Sequence, residues 1–338
     1  MTVLRSTGSF SRLSQSSAMS EATPLVSILI NNYNYGSFLS QAVDSALKQT
    51  YQNIEVIVID DGSQDNSPAI IHSYGEKITP VLKENGGQAS ALNAGFAKSR
   101  GDIICLLDAD DIYLPDKVLE VVNVFNKDNA TDWFFHRSTP YQSDQLVDER
   151  LPSFFKETCE QNTTVSPRKI DFRQEVRQAQ TPDFAPATSN ICLSRALAQK
   201  IFPMPEVPGD SGVAISDLYI KLLAVGLGVG YQTERNLCIF RLHKNIYSST
   251  SFINRRKIGA EISIATGYWI RAKDPDFEKL SNKLLAKGVS LTQKSKTGDK
   301  SINGLIKTYL SNTNFINRIR LNFMIFYYSI KLSFVEMI

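Results

Sequence analysis

The sequence predicts an α/β fold, a mostly parallel central sheet flanked by helices, with a helical extension at its C-terminal end. Three observations predict it. From Pro24 to about Val118, short apolar and β-branched runs alternate with segments of helical spacing, the rhythm of a parallel sheet. The fully apolar run Ile103-Ile104-Cys105-Leu106-Leu107 stops at Asp108-Ala109-Asp110-Asp111. Beyond Lys283, basic residues are interleaved with aromatic and aliphatic ones, with only Asp299 and Glu336 opposing them.

The first strand is predicted in Pro24 to Ile30, followed by the polar loop Asn31-Asn32-Tyr33-Asn34-Tyr35-Gly36. Phe38, Leu39, Ala42, Val43, Ala46 and Leu47 share one helical face. Ile54 to Ile59 is a second strand, closed by Asp60-Asp61-Gly62-Ser63. Gly86-Gly87-Gln88 opens a helix, whose free N–H groups and positive dipole end suit a phosphate; a plain cap and packing glycine is the other reading. The strand through Leu107 is apolar on both faces, so it must be covered on both. Its terminal acids then sit at the carboxyl edge of the sheet, where open α/β sheets bind ligands. Close carboxylates repel unless a cation or donor lies between them. A divalent ion holding phosphate oxygens resolves that repulsion, and a solvated turn is the structural alternative.

From 132 to 188 the periodicity weakens, and an irregular insertion is expected on the acceptor side. A short strand and helix follow over Asn190 to Phe202, and another helix over Ser216 to Val225. Gly226-x-Gly228-x-Gly230 follows a helix and has Tyr231 in place of a third glycine, so it reads as a helix stop and not as a dinucleotide fingerprint.

Composition narrows the function classes. The chain has 338 residues, 42% hydrophobic and 21% charged, enough for a full core. A net charge of +3 gives no ground for nucleic-acid binding. Four cysteines occur without C-x-x-C spacing; Cys105, Cys192 and Cys238 suit small core positions, and the simplest setting is a reducing, cytoplasmic one. No stretch approaches the roughly 18 to 20 apolar residues of a spanning helix. The basic, aromatic tail suits either a helix lying in the membrane interface or one docked on the catalytic domain. Residues 1–23 form an expected disordered tail, and Met19 is a candidate alternative start to Met1.

V-S-I-L-I-N-N-Y-N-Y, Q-T-Y-Q-N-I-E-V-I-V-I-D-D-G-S-Q-D-N-S, N-G-G-Q-A-S-A-L-N-A-G-F and G-D-I-I-C-L-L-D-A-D-D-I-Y-L-P-D-K-V occur in that order. Together they closely resemble the family 2 glycosyltransferases, inverting enzymes of the GT-A fold, densely from Pro24 to Val118 and more loosely to about Ser249. The resemblance implies a catalytic domain over 24–249, its nucleotide-sugar half at 24–118 and its acceptor half at 119–249, followed by a helical region over 250–338.

The resemblance also implies roles for individual residues. Asn31, Tyr33, Asn34, Asp61, Gly86, Gly87, Gln88, Asn93 and Asp108 would lie along the nucleotide-sugar, with a UDP-sugar favoured. Asp110 would ligate Mn²⁺ or Mg²⁺. Family members place the general base in a Glu-Asp pair; here Ser216 replaces the glutamate and Asp217 is the surviving acid. Phe240-Arg241-Leu242-His243 resembles a closing segment from which Arg241 reaches the diphosphate and His243 the metal. The implied acceptor is a glycan or lipid-linked saccharide. Two other classes stand beside this reading: a sugar-phosphate nucleotidyltransferase and a degenerate domain serving as a binding module. The first wants a glycine-rich basic loop where Asn31-Asn32-Tyr33-Asn34 stands; the intact Asp61, Asp108 and Asp110 argue against the second, which the missing glutamate beside Asp217 keeps open.

Overall fold

Val26–Asn32 (β1) is buried along nearly its whole length, because neighbours pair with both of its edges and helices cover both of its faces. The protein is described by a computed structural model covering residues 23–142, 149–161, 165–184, 186–207, 215–243, 252–295 and 300–335. After β1 come Gly36–Leu47 (α1), Ile54–Asp60 (β2), Ser67–Ser73 (α2), Thr79–Leu82 (β3), Gln88–Lys98 (α3) and Ile103–Asp108 (β4). The apolar face foreseen for α1 is the buried one: Phe38, Leu39, Ala42, Val43 and Ala46 all face the core. These strands run parallel, in register Ile28↔Val56 and Ile28↔Cys105.

Ile112–Tyr113 (β5), Lys117–Lys127 (α4), Trp133–Gln142 (β6), Leu151–Gln161 (α5), Arg168–Ile170 (β7) and Arg173–Arg177 (α6) follow. A 3-10 turn at Thr188–Asn190 leads into Ile191–Ser194 (β8), Arg195–Ile201 (α7), Ile215–Leu227 (α8) and Gly230–Leu242 (β9). The sheet order is β3-β2-β1-β4-β8-β6-β9-β5, with β7 on β9. Beyond β4 the sheet is mixed: β8 runs antiparallel to β4 and β6, while β6 and β9 run parallel.

The segment expected to be irregular therefore supplies an interior strand. Trp133, Phe134, Phe135 and His136 are buried and flanked by β8 and β9, whereas Arg137 to Gln142 run on past the end of β8 and are more exposed. That half-buried profile is what hid the strand from its periodicity. The pairing of β6 with β9 shifts register between Phe135 and Ser138, a local irregularity of the kind found beside functional sites. Gly228 and Gly230 do more than stop a helix. Trp133 donates Nε1–H to the Gly228 carbonyl at 3.0 Å. A Cβ on Gly230 would lie 2.2 Å from the Trp133 ring, so the strand closes on the indole only with glycine there.

Phe252–Lys273 (α9), Glu278–Ser295 (α10), Lys300–Ser311 (α11) and Phe315–Val335 (α12) follow. Ile264, Phe277, Leu280, Leu285, Tyr309 and Leu321 share one core with Trp133 and Phe135 of the sheet, so the helical region is packed onto the α8 face. Cys105 and Cys192 face each other across β4 and β8 as free, buried thiols. No described helix is long and apolar enough to cross a membrane.

Candidate active site

Parallel register puts the ends of β1, β2 and β4 at one edge of the sheet, Asn31 opposite Asp108 and Asn32 opposite Asp60. Two acidic groups meet there. Asp60 accepts Asn32 Nδ2 at 2.7 Å and the Ser63 N–H at 3.0 Å. Asp61 accepts Lys83 Nζ at 2.7 Å, the Gly86 N–H at 3.0 Å and the Gly87 N–H at 2.7 Å. Asp61 thereby shapes the glycine loop that opens α3, and Gly87, at φ 86°, takes a conformation other residues rarely adopt. Asn34, also at positive φ, accepts the Gln64 N–H at 2.8 Å and donates its own N–H to Ser63 at 2.8 Å. Tyr33 stands 46% exposed at the mouth of this edge.

The second group has fewer donors. Gln88 donates Nε2–H to Asp108 at 2.9 Å, and Asn31 also hydrogen-bonds that carboxylate. Burial and the neighbouring charges of Asp110 and Asp217 nonetheless push the Asp108 pKa up to about 8. Asp111, held by the Ser189 hydroxyl at 2.6 Å and the Arg241 N–H at 3.1 Å, is raised by burial and by Asp110 and Asp108. The Tyr35 phenol is raised as well, by burial and then by the same three carboxylates. His243 Nε2 meets Asp110 Oδ2 at 3.0 Å, and its ring packs on Tyr35 and Phe38.

Arg241 lies against the acidic loop. Its guanidinium is buried, donates Nε–H to the Asp110 carbonyl at 2.9 Å and Nη2–H to Gln41 at 2.5 Å, and lies over the Phe38 ring. A buried cation needs fixed acceptors, and these hold Arg241 against the acidic loop. The Asn93 amide donates to the Met204 carbonyl at 2.9 Å and to Glu206 at 3.1 Å, and accepts the Met204 N–H at 2.7 Å. It pins the segment after α7, and its hydrogen-bonding capacity is largely spent there.

Asp217 lies in the first turn of α8. The Thr188 hydroxyl donates to its Oδ1, and Gln88 Nε2 lies 3.4 Å from the same hydroxyl. Asp108, Gln88, Thr188 and Asp217 thus form one connected row across the sheet edge. Burial raises the Asp217 pKa, against the opposing influence of Thr188 and Lys221. The side chain of Ser216 lies outside the described set.

A polar cavity of about 300 Å³ is lined by His136, Arg137, Ser138, Asp183, Asn190 and Gln232 with Phe135, Phe184 and Pro186, so that Pro186 and Asn190, on either side of Thr188 in the chain, both line it. His136 Nε2, Asn190 Oδ1 and Gln232 Oε1 have no hydrogen-bond partner among the described residues. Burial and then the Lys117 charge hold the His136 pKa well below the usual range, so the imidazole is neutral.

Sequence reasoning missed Thr188, Ser189, Lys117, Lys83 and His136. Lys117, fully buried, lies over the Tyr113 ring at 3.2 Å and donates to the Ser189 carbonyl at 3.3 Å. Its place in the run L-P-D-K directly after the acids was the one available signal. Among the described residues no three His, Cys, Asp or Glu side chains form a metal cluster; Asp110 and His243 make the oxygen–nitrogen pair a divalent ion would find, with Asp108 beside them.

A family model described as "Glycosyl transferase family 2" matches residues 27–193. An uncharacterized glycosyltransferase of Nostoc sp. (strain PCC 7120) is 30% identical over 246 residues, 71% of this chain and 72% of that protein. An uncharacterized glycosyltransferase of Rickettsia prowazekii is 42% identical over 133 residues, 39% of this chain and 40% of that protein. Among solved structures, S. aureus TarS (residues 1–349, in complex with UDP-GlcNAc) superposes with a TM-score of 0.54 at 14% identity, over 80% of this chain and 72% of that one. The strand-end acids, the glycine-opened helix and the mixed sheet agree with these likenesses, and the chain belongs to glycosyltransferase family 2, with the GT-A fold.

Proposed function

We propose that this glycosyltransferase moves a sugar, with inversion, from a nucleotide-diphosphate sugar to a hydroxyl of a glycan or lipid-linked acceptor, and that Asp217 is the general base. The observation that carries the reading is the row Asp108–Gln88–Thr188–Asp217. It links the strand-end carboxylate of Asp108 to the helix-start carboxylate of Asp217 through Gln88 and Thr188. Thr188 occupies Asp217 Oδ1 and leaves Oδ2 to take the acceptor proton. Burial raises the basicity of the ionised carboxylate. The acceptor oxygen, losing its proton to Asp217, bonds to the anomeric carbon as the bond to the diphosphate oxygen breaks and the nucleoside diphosphate leaves. The polar lining of the cavity, with Arg137, Ser138, Asp183, Asn190 and Gln232, suits a polyhydroxylated acceptor.

Asp110 and His243 are the residues that would hold Mn²⁺ or Mg²⁺, and the ion would neutralise charge on the departing diphosphate. The donor set fits such an ion: an oxygen and a nitrogen ligand beside carboxylates that repel one another. Arg241 holds the acidic loop through the Asp110 carbonyl, and Lys117 holds the Ser189 carbonyl, whose residue in turn donates its hydroxyl to Asp111. A UDP-sugar is the first donor to test, since TarS, of the same fold, is described in complex with UDP-GlcNAc.

The test is calorimetric binding of UDP-, GDP- and dTDP-sugars with and without Mn²⁺, followed by nucleotide release in the presence of candidate acceptors. Asp217→Asn should keep donor binding and lose about 10²–10⁴-fold in kcat. Metal-dependent binding of none of the donors would overturn the reading and favour a binding module.

A further inference from the structure

The last helix, α12, has two apolar faces, and only one of them is packed. Leu321 is fully buried, and Met324, Ile325 and Tyr328 pack against the core shared with α10. On the other side, Phe315, Ile316, Ile319, Phe323, Phe326, Tyr327 and Ile330 are exposed, Phe315 by 77%, Phe323 by 69% and Phe326 by 66%. These are seven of the eleven exposed large apolar side chains among the described residues. At 3.6 residues per turn they fall within one arc of about 120° and form a stripe roughly 22 Å long. Arg320 and Lys331 border that arc on one side, while Asn322, Ser329 and Arg318 border it on the other.

We propose that the outer face of α12 is an in-plane membrane anchor that seats the enzyme on an anionic lipid surface. A continuous apolar stripe of this size is unfavourable in water, which points to a covering surface. Charge selects the occupant. Aromatic side chains in the middle and cations at the margin are the distribution of a helix lying at the headgroup boundary, its apolar side in the acyl region and its cations near lipid phosphates. From Lys279 to Lys331 the charged residues outside 296–299 are all basic. A second copy docked by the same stripe would bring Arg320 and Lys331 towards their like-charged counterparts, which disfavours self-association. The packed inner face ties the anchor to the sheet through Leu321, so binding would hold the whole catalytic domain at the membrane. The binding claim stands apart from the assignment of Asp217. Its consequence, that the acceptor hydroxyl belongs to a lipid-linked saccharide, rests on the transfer reaction proposed above.

The test is flotation of the full-length protein with vesicles of phosphatidylcholine alone and of phosphatidylcholine with phosphatidylglycerol, at low and high salt. The wild type should float with the anionic vesicles and do so less at high salt. Phe323→Ser with Phe326→Ser should weaken partitioning on the order of 10- to 100-fold. Arg320→Glu and Lys331→Glu should each weaken it by roughly fivefold and reduce the preference for anionic lipid. Thermal melting of each variant checks that the fold survives. An intact wild type that does not float, or flotation that the folded Phe323→Ser/Phe326→Ser variant retains, would overturn the proposal. So would a concentration-dependent dimer, abolished by the same pair, in a protein that ignores vesicles. Membrane binding without transfer activity would leave the anchor standing and count against the reaction alone.

Discussion

Two acidic pairs that look alike in the sequence, Asp60-Asp61 after β2 and Asp110-Asp111 after β4, have opposite roles in the structure. The first is saturated: Asn32, Ser63, Lys83 and the N–H groups of Gly86 and Gly87 supply donors to both carboxylates. The second shares its edge with Asp108 and has fewer donors than acceptor sites, so burial and mutual repulsion raise Asp108 and Asp111. A carboxylate supplied with donors acts as a clamp for a loop; a group left short of them is poised for a cation. Adjacent aspartates are therefore uninformative until their donors are known.

The sharpest way to break this comparison is Asp110→Asn. It should cut turnover on the order of 10²–10³-fold, as removal of a charge-stabilising group does. The same change should raise the melting temperature of the metal-free protein, because it removes a charge that acts on Asp108 and Asp111. A lower melting temperature would show that the cluster is not strained by repulsion. Mn²⁺ at about 100 times its Kd should stabilise the wild type by about 2.7 kcal/mol and leave Asp110→Asn unmoved, as read by thermal melting. Asp61→Asn should behave in the opposite sense to Asp110→Asn and destabilise by about 2 kcal/mol. It leaves Lys83 and two loop N–H groups short of a charged acceptor, and denaturant titration measures the loss.

The smallest effect is the pH dependence. Asp108 has a higher pKa folded than unfolded, so its stabilising contribution is full below the ordinary carboxylate range and is lost as pH rises towards about 8. Metal-free protein should melt lower at about pH 8.5 than at about pH 7, a window above the ordinary histidine pKa and so clear of the opposite contribution of His136. Mn²⁺ should remove the difference; an equal slope with and without the ion would count against the cluster as its binding site.

Much of the donor edge was legible in the sequence. The alternation of apolar runs and helical faces located β1, β2 and β4 but not the short, exposed β3, and the polar stops located the loops that carry Asn31, Asp61, Gln88, Asp108 and Asp110. Less of the other half was legible. Trp133 to His136 is only four buried residues long, and its continuation is polar because β8 ends beside it. Thr188 and Ser189 gain meaning only from Asp217 and Asp111, 29 and 78 positions away.

By itself the sequence determined the parallel strands β1, β2 and β4, the position of the acids at the sheet edge and the family, because side-chain periodicity and motif order are local properties of a chain. Tertiary structure alone decided that Arg241 lies under the acidic loop, that Asn93 pins Met204, and that α12 packs one apolar face and presents the other. Each of those outcomes depends on which distant surfaces meet. A residue type states the hydrogen bonds and apolar area it can offer, and only packing selects the partner that takes them up.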